Sequence, residues 1–388
     1  MTDRIWLKSY PQGVPADIDV AQFDSLATLI DDCSNQHAAG VGYSFLGRDL
    51  SYRQVDSLSM AFGAYLQKLG LVKGDRVAVM MPNLPQYPVA VAAILRAGMV
   101  LVNVNPLYTP RELEHQLKDS GAKAIVILEN FASTLEKCLP ATAIRHVVLC
   151  AMGDQLGLFK GALVNYVVRH SKKLVPSFHI PGAVRFNEAI ARGSSATLSR
   201  PDIRSDDVAV LQYTGGTTGV SKGAVLLHRN LVANVLQNEA WGAPLMGTIP
   251  RGEQATIVCA LPLYHIFAFT YCMMQSMRLG GKLILIANPR DLPTMFQELS
   301  KHRIHLMPAV NTLFNGMVNH PEFNTVDWSH LVGATGGGSA VQGAVAKLWL
   351  EKTGRPILEG YGLSETSPVA SGNPADATDY NGSIGVPL

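Results

Sequence analysis

Short apolar runs alternate along the first half of the chain with segments in which apolar residues recur every three or four positions. The runs predict buried strands, and the 3.6-residue period predicts helices. The predicted elements are strands at 76–81, 99–103 and 123–128 and helices at 86–97 and 110–120. Strands separated by helices are typical of a mostly parallel sheet covered on both faces.

The second half alternates in the same way. It predicts strands at 208–213, 223–227, 282–286, 331–334 and 356–359 and helices from about 230, at 293–301 and at 341–352. Glycine and proline gather at the strand ends, where ligands bind in open α/β sheets. Because one core rarely grows beyond about 250–300 residues, we expect two α/β subdomains, 1–200 and 201–388.

Two helix starts carry local capping signals. Thr109 can cap the helix that begins at Pro110, and Glu112 completes a capping box. Ser51 and Gln54 have the same spacing and predict a second start.

The composition narrows the class of protein. The 388 residues carry 32 Lys and Arg against 30 Asp and Glu, a net charge of +2, and 47% are apolar. This mixture excludes a disordered chain and argues against nucleic acid as the main partner. Five cysteines without CxxC spacing predict neither a disulfide framework nor a zinc site, and they favour a reducing cytoplasm. The start of the chain has no apolar stretch of the kind that a secretory signal contains.

One uncharged stretch, residues 255–277, is long enough to cross a bilayer. Pro262 and His265 interrupt it, however. We therefore predict a buried strand at 256–260, a turn at 261–265 and a buried helix from 268, and no membrane span.

Residues 152–183 break the alternation and leave two interpretations open. Apolar positions are interleaved with basic ones: Leu158, Phe159, Leu163, Val164, Val167 and Val168 with Lys160, Arg169, His170, Lys172 and Lys173. This pattern predicts either a basic amphipathic helix on an anionic membrane surface or an ordinary surface helix with a basic C-terminal end.

The densest chemical signal is Tyr213-Thr-Gly-Gly-Thr-Thr-Gly-Val-Ser-Lys-Gly223. Its glycines allow close backbone approach, and its hydroxyls and Lys222 are donors that suit a polyphosphate. It is not GxxxxGK[ST], because Gly223 follows Lys222, and no GxGxxG occurs in the chain. The alternative is a flexible glycine-rich surface loop.

Three more motifs follow in order: Leu261-Pro-Leu-Tyr-His-Ile-Phe-Ala268, Ala334-Thr-Gly-Gly-Gly-Ser339 and Tyr361-Gly-Leu-Ser-Glu-Thr-Ser-Pro368. Together with 213–223 they resemble the signatures of the adenylate-forming superfamily of acyl-CoA synthetases, luciferases and peptide-synthetase adenylation domains. Residues 81–88 and 103–117 resemble bacterial long-chain fatty acyl-CoA synthetases in particular. The resemblance implies the α/β fold of that family's N-terminal domain, two mostly parallel sheets flanked by helices.

The resemblance also implies site residues. The positions that match the nucleotide site are Tyr213, Thr214, Gly215, Gly216, Thr217, Thr218, Gly219, Val220, Ser221, Lys222, Gly223, Gly336, Gly337, Gly338, Glu359, Gly360, Tyr361, Gly362, Ser364 and Glu365. Tyr361 matches the residue that stacks on adenine, and Glu365, with Thr214, matches the Mg²⁺ ligands. Taken without the motif, Tyr361 would be a core residue, Gly336–Gly338 a helix-entry turn and Glu365 a surface carboxylate.

The acyl site is implied at His265, Phe269 and Gly337, and the catalytic residues at His265, Lys222 and Glu365. A lone histidine in an apolar run is otherwise a core residue. Residues 266–274 contain no carboxylate that could pair with a substrate ammonium. An apolar acyl chain fits this stretch better, because a buried unpaired ammonium is costly.

The implied reaction has two steps: a fatty carboxylate and ATP give an acyl-adenylate and pyrophosphate, and coenzyme A then gives the thioester and AMP. No side-chain nucleophile is needed, since the carboxylate is itself the nucleophile. ATP, Mg²⁺ and coenzyme A are the implied cofactors, with a cytoplasmic location, peripheral contact with the inner membrane face and a homodimer as further implications. The alternatives are a non-catalytic nucleotide- or lipid-binding module and a phosphotransferase that would release ADP.

The chain departs from the family at its end, Gly382 to Leu388. Family members continue into a β-barrel subdomain, a ribose-binding Asp, a hinge and a mobile C-terminal domain with a catalytic Lys. We therefore expect these 388 residues to match the N-terminal domain and, alone, to make no acyl-CoA at a significant rate.

Overall fold

A computed structural model describes residues 3–215 and 221–388 of the chain. These residues form two compact units. Unit 1 comprises residues 3–22, 40–49 and 230–388, and unit 2 comprises residues 23–39, 50–215 and 221–229. Each unit is built around its own sheet.

The helices and strands of the described residues have the following bounds. The α-helices are α1 (Leu26–Gln36), α2 (Tyr52–Lys68), α3 (Gln86–Arg96), α4 (Pro110–Ser120), α5 (Ala132–Cys138), α6 (Leu158–Tyr166), α7 (Phe186–Gly193), α8 (His228–Met246), α9 (Gln275–Arg278), α10 (Leu292–Leu299), α11 (Asn311–Val318) and α12 (Gly343–Thr353). The strands are β1 (Val41–Phe45), β2 (Arg48–Ser51), β3 (Arg76–Met80), β4 (Val100–Asn103), β5 (Ala124–Leu128), β6 (His146–Cys150), β7 (Val184–Arg185), β8 (Val208–Thr214), β9 (Lys222–Leu227), β10 (Thr256–Cys259), β11 (Lys282–Leu285), β12 (Leu306–Ala309), β13 (Gly333–Gly336), β14 (Ile357–Gly362), β15 (Val369–Gly372) and β16 (Val386–Pro387). Two segments are π-helical: Val167–Ser171 directly follows α6, and Ala268–Met274 directly precedes α9.

The sheet of unit 2 has the strand order β7-β6-β5-β3-β4-β8-β9. Its neighbouring strands are parallel except for β8 and β9, which form an antiparallel pair. All residues of β4, β5 and the apolar helix α3 are buried. Burial of whole apolar runs is what a sheet covered on both faces requires, so the predicted architecture is confirmed here.

The sheet of unit 1 has the strand order β16-β15-β14-β13-β12-β10-β11-β1-β2. Strands β1, β11, β10, β12, β13 and β14 pair in parallel in this order, and β15 and β16 add an antiparallel edge. Its core contains an aromatic cluster in which the rings of Phe314 and Trp349 meet edge to face at 4.8 Å. Unit 1 is therefore also a mostly parallel sheet, as predicted.

Local sequence signals place several elements correctly. The capping boxes at Thr109 with Glu112 and at Ser51 with Gln54 are both formed. Several predicted ends are shifted by a few residues: α12 begins at Gly343 rather than at 341, and β13 occupies 333–336 rather than 331–334. In β13, pairing with β12 and β14 decides the register, because the glycine-rich sequence has little preference of its own.

The two units divide the chain differently from the predicted boundary between residues 200 and 201. Strand β1 lies parallel to β11, with Tyr43 opposite Leu283, so residues 40–49 belong to unit 1. Strand β8 lies parallel to β4, with Leu101 opposite Val210, so residues 201–229 belong mainly to unit 2. Strand pairing between distant segments, rather than position along the chain, sets the boundary.

The uncharged stretch 255–277 folds as the buried strand β10, a turn and the π-helical segment. Within the described ranges, no helix is long and apolar enough to cross a membrane. All five cysteines are buried thiols outside any disulfide. Burial raises the pKa of Cys138 to about 11 and raises the pKa values of Cys150 and Cys259 well above their usual range.

Candidate functional site

The two ends of the glycine-rich segment lie side by side in unit 2. Thr214 at the end of β8 is opposite Lys222 at the start of β9. The Ser221 hydroxyl donates to the Thr214 carbonyl oxygen at 2.7 Å and ties the two strand ends together. Gly215 and Lys222 are exposed. The predicted phosphate ligands Gly216, Thr217, Thr218, Gly219 and Val220 lie outside the described residues.

Tyr213 has a packing role beside its predicted place in the nucleotide site. Its side chain is 8% exposed, and its hydroxyl donates to the Asp119 carboxylate at 2.5 Å. Burial and the neighbouring carboxylate raise the pKa of Tyr213. A Cβ atom at Gly223 would lie 3.0 Å from the Tyr213 ring, so glycine at this position lets the ring lie against β9.

In unit 1, β13 ends in the glycine run 336–338, beside β14. A Cβ atom at Gly336 would lie 2.5 Å from Val341, and one at Gly337 would lie 2.8 Å from Phe267. Gly338 has φ +76°, a conformation that favours glycine. All three glycines are therefore required by the local structure: Gly336 and Gly337 are buried and make room for Val341 and Phe267, whereas Gly338 is exposed.

Glu359 lies beside this turn, opposite Gly336. Its side chain is buried, and its Oε1 accepts from the Val341 N–H at 2.8 Å. Its own N–H donates to Asn373 Oδ1 at 2.7 Å. The carboxylate thus shapes the backbone that follows the glycine run, a role that the sequence did not reveal because Val341 is 18 residues away.

The last motif forms the end of β14 and a short 3-10 turn, Ser364–Thr366. Tyr361 is 46% exposed and Glu365 is exposed. Core packing of Tyr361 is therefore excluded, and both side chains are accessible to a ligand. A Cβ atom at Gly362 would lie 2.0 Å from the Pro368 carbonyl oxygen, which explains the glycine between them.

His265 lies in the turn that follows β10 and is exposed, so it is not a core histidine. Its Nδ1 accepts from the Phe267 N–H at 3.3 Å, which places the proton of the neutral ring on Nε2. The surrounding protein displaces water from part of the ring and lowers the pKa of His265. A neutral imidazole with an Nε2–H can donate to a carboxylate or carbonyl oxygen.

The residues after His265 pack against the glycine run. The Tyr271 hydroxyl lies 2.9 Å from the Thr335 hydroxyl, and Phe267 contacts Gly337. Phe269 is fully buried, as are Met273 and Met274 within the π-helical segment. Unit 1 therefore brings together the predicted residues at 265–269, 336–338 and 359–365, whereas 213–223 belong to unit 2.

A cluster that the sequence did not predict lies elsewhere in unit 1. Glu253, His305 and His330 place one side-chain atom each within 4.8 Å of one another. His305 Nδ1 accepts from the Thr256 N–H at 3.0 Å, so the neutral ring carries its proton on Nε2, which faces Glu253. An Nε2–H cannot ligate a metal, and this Nε2 lies 3.5 Å from a Glu253 carboxylate oxygen without forming a hydrogen bond to it.

The chain resembles known proteins over its full length. The family model of AMP-binding enzymes matches residues 31–388. The chain is 50% identical over 387 residues to a long-chain-fatty-acid–CoA ligase of Yersinia pestis, covering 100% of this chain and 68% of that protein. It is also 50% identical over 386 residues to the ligase of the same description in Salmonella typhimurium, covering 99% and 68%.

A solved structure shows the same fold. The anthranilate CoA ligase AuaEII, in complex with anthranoyl-AMP, superposes with a TM-score of 0.80 at 19% identity, covering 96% of this chain and 66% of that one. At this level of identity the similarity concerns the fold alone.

Proposed function

Because the chain belongs to the family of AMP-binding enzymes, we propose that it activates long-chain fatty acids. The fatty carboxylate attacks the α-phosphorus of ATP, forms the acyl-adenylate and releases pyrophosphate. The thiol of coenzyme A then attacks the acyl carbon, forms the thioester and releases AMP. The observation that carries this proposal is the 50% identity to long-chain-fatty-acid–CoA ligases along the whole chain.

The site has the groups that this chemistry needs. The substrate carboxylate is the nucleophile, so catalysis consists of positioning and of stabilising charge on the α-phosphate. We propose that Lys222, Thr214 and the donors between them hold the phosphates. We propose that Tyr361, exposed at the end of β14, stacks on the adenine, and that the backbone of the exposed Gly338 lies against the nucleotide.

We propose that Glu365 binds Mg²⁺, and the Thr214 hydroxyl is a second candidate ligand. A carboxylate and a hydroxyl are oxygen ligands of the kind that Mg²⁺ prefers, and the exposed Glu365 leaves its oxygens accessible. When bound, the ion neutralises charge on the phosphates. Among the residues of this chain, His265 orients the substrate carboxylate through its Nε2–H, and the buried segment around Phe269 receives the acyl chain.

Fatty-acid-dependent exchange of pyrophosphate into ATP tests the first step. The 388-residue chain is assayed alone and as a version extended with the family's C-terminal domain, with saturated fatty acids of increasing length, and Glu365→Gln and His265→Leu serve as site variants of the extended protein. Exchange that depends on a long-chain acid and falls in both variants supports the proposal. Binding of ATP without exchange in either protein favours a non-catalytic nucleotide- or lipid-binding module, and release of ADP rather than AMP indicates a phosphotransferase.

We further propose that α6 contacts the inner face of the membrane. Four apolar side chains share one face of this helix and are 62–93% exposed: Leu158, Phe159, Leu163 and Tyr166. The opposite side faces the protein, because Gly161 is buried and Asn165 Oδ1 accepts from the Gly153 N–H at 2.7 Å. An amphipathic helix whose apolar face points to solvent is a surface for an apolar partner.

Charge favours an anionic lipid surface as that partner. Lys172 and Lys173 are exposed immediately after the π-helical extension of α6. Arg169 contributes less, since the buried Glu129 carboxylate accepts from its Nε at 2.8 Å. Apolar side chains beside two exposed lysines suit insertion between anionic headgroups. A second copy of this chain is the alternative occupant.

Sedimentation with lipid vesicles tests this contact. The chain is expected to sediment with vesicles that contain phosphatidylglycerol and not with phosphatidylcholine alone, and Phe159→Ser should abolish the effect. Val72→Ser is the control, because Val72 is 62% exposed elsewhere in unit 2. Failure of the native chain to sediment would contradict the proposal, and a dimer in solution that Phe159→Ser dissociates would assign the face to a second copy.

A further inference from the structure

Helix α4 sends two polar side chains to the two ends of the glycine-rich segment in unit 2. His115 Nε2 lies 2.9 Å from the Ser221 carbonyl oxygen. A carbonyl oxygen only accepts, so the imidazole Nε2–H is the donor. Four residues further along the helix, the Asp119 carboxylate accepts from the Tyr213 hydroxyl at 2.5 Å. Residues four apart share one face of a helix, so a single face of α4 contacts both the end of β8 and the residue before β9.

Further contacts make α4 a fixed part of unit 2. Gln116 Nε2 donates to the Asn103 carbonyl oxygen at the end of β4, at 2.7 Å. The Asn103 side chain in turn donates to Gln212 Oε1 on β8 at 3.1 Å. Leu113 and Leu117 are fully buried in the core. Helix α4 is thus tied to β4 and β8, and its polar face has a defined position beside them.

Among the described residues, the strand ends also contact each other. The register between Thr214 and Lys222 and the hydrogen bond from Ser221 to Thr214 join the two strands. The contacts from His115 and Asp119 add a fixed point outside this pair, because they tie Ser221 and Tyr213 to α4.

We propose that His115 and Asp119 are positioning residues that hold Ser221 and Tyr213, and with them the neighbouring Lys222 and Thr214, where they bind the phosphates of ATP. This inference rests on the proposed function. His115 acts through the Ser221 carbonyl and Asp119 through the Tyr213 hydroxyl, and both contacts lie next to groups assigned to the nucleotide. Loss of either contact lowers the fraction of molecules in which Thr214 and Lys222 are correctly placed, and the apparent dissociation constant of ATP rises in inverse proportion.

The dissociation constant of Mg-ATP, measured by calorimetry on the 388-residue chain, tests the inference. His115→Leu removes the donor and Asp119→Leu the acceptor, whereas His115→Gln and Asp119→Asn retain them. Loss of one net hydrogen bond corresponds to about threefold to tenfold weaker binding of Mg-ATP by the leucine variants. The conservative variants should retain most of the native affinity. Glu114→Gln is the control, since it breaks only the surface ion pair with Lys118.

Hydrogen exchange of the peptide that spans 213–223 separates positioning from a general loss of stability. The leucine variants should exchange faster in this peptide while exchange in β3 and β5 stays unchanged. Native-like ATP binding by His115→Leu, or equal weakening in His115→Gln, would overturn the inference while the proposed function stands. Absence of ATP binding by the native chain would instead overturn the proposed function.

Discussion

Acid should destabilise unit 2 through one buried histidine. His228, the first residue of α8, is 1% exposed, and its Nδ1 accepts from the Leu26 N–H at 3.1 Å. Burial lowers the pKa of His228 from 6.5 to about 4. Protonation of Nδ1 would turn two donors toward each other, so the folded protein keeps this ring neutral.

The sign and the size follow from linkage. The pKa is lower in the folded protein, so the unfolded chain binds more protons as the pH falls below 6.5. The stability due to the neutral ring is therefore complete above pH 6.5 and is lost as the pH falls towards 4. One pKa unit corresponds to about 1.4 kcal/mol, which gives a loss of about 2–3 kcal/mol by pH 4.5 and about 3 kcal/mol at lower pH.

The measurement must report on unit 2. All four tryptophans, Trp6, Trp241, Trp328 and Trp349, belong to unit 1, so tryptophan fluorescence follows the wrong unit. Urea unfolding at pH 7.5 and 4.5, read by pulsed hydrogen exchange in β3 and β5, gives the free energy of unfolding of unit 2.

His228→Gln is the matched variant, because its side-chain oxygen can accept from Leu26 without titrating. The native chain should lose about 2–3 kcal/mol more than His228→Gln between the two pH values. An equal loss in both proteins would refute the assignment of the neutral ring.

Two further predictions concern buried carboxylates and cations. Glu359→Ala removes the acceptor of the Val341 N–H and should lower the free energy of unfolding of unit 1 by about 1–3 kcal/mol. Urea unfolding followed by tryptophan fluorescence measures this loss. Glu359→Gln keeps an acceptor and should lose much less, and equal losses in the two variants would contradict the role of the acceptor. Arg96→Met removes a cation that is 1% exposed and pairs with Asp31 and Asp56 at 2.8 and 2.5 Å. The free energy of unfolding of unit 2, measured by hydrogen exchange, should fall by about 3 kcal/mol. A fall below about 1 kcal/mol would show that the two partly exposed carboxylates need no counter-charge.

Much of the fold is predictable because its signals are local. The start of α4 depends on residues 109–112, and the buried strands read as apolar runs. The division into units is not local: β1 pairs with β11 more than 200 residues later, and nothing in residues 40–49 records that partner. The sequence therefore predicts elements well and predicts the boundary between the units poorly.

The candidate site divides in the same way. Glycines and hydroxyl residues that cluster in one segment, such as 213–223, can be recognised from the sequence alone. His115 and Asp119 were missed because each is an ordinary polar residue on a helix, and only the tertiary structure places them beside Ser221 and Tyr213. The packing role of Glu359 was missed for the same reason.

The reactivity of the five buried cysteine thiols can be used to follow unfolding of the chain. Folded protein protects them, since the thiolate is the reactive form and burial raises the pKa values of Cys138, Cys150 and Cys259. A chromogenic disulfide reagent would therefore titrate free coenzyme A in the presence of the native chain. Unit 2 holds three cysteines and unit 1 holds two, so the stoichiometry of thiol release during denaturation would identify which unit unfolds first.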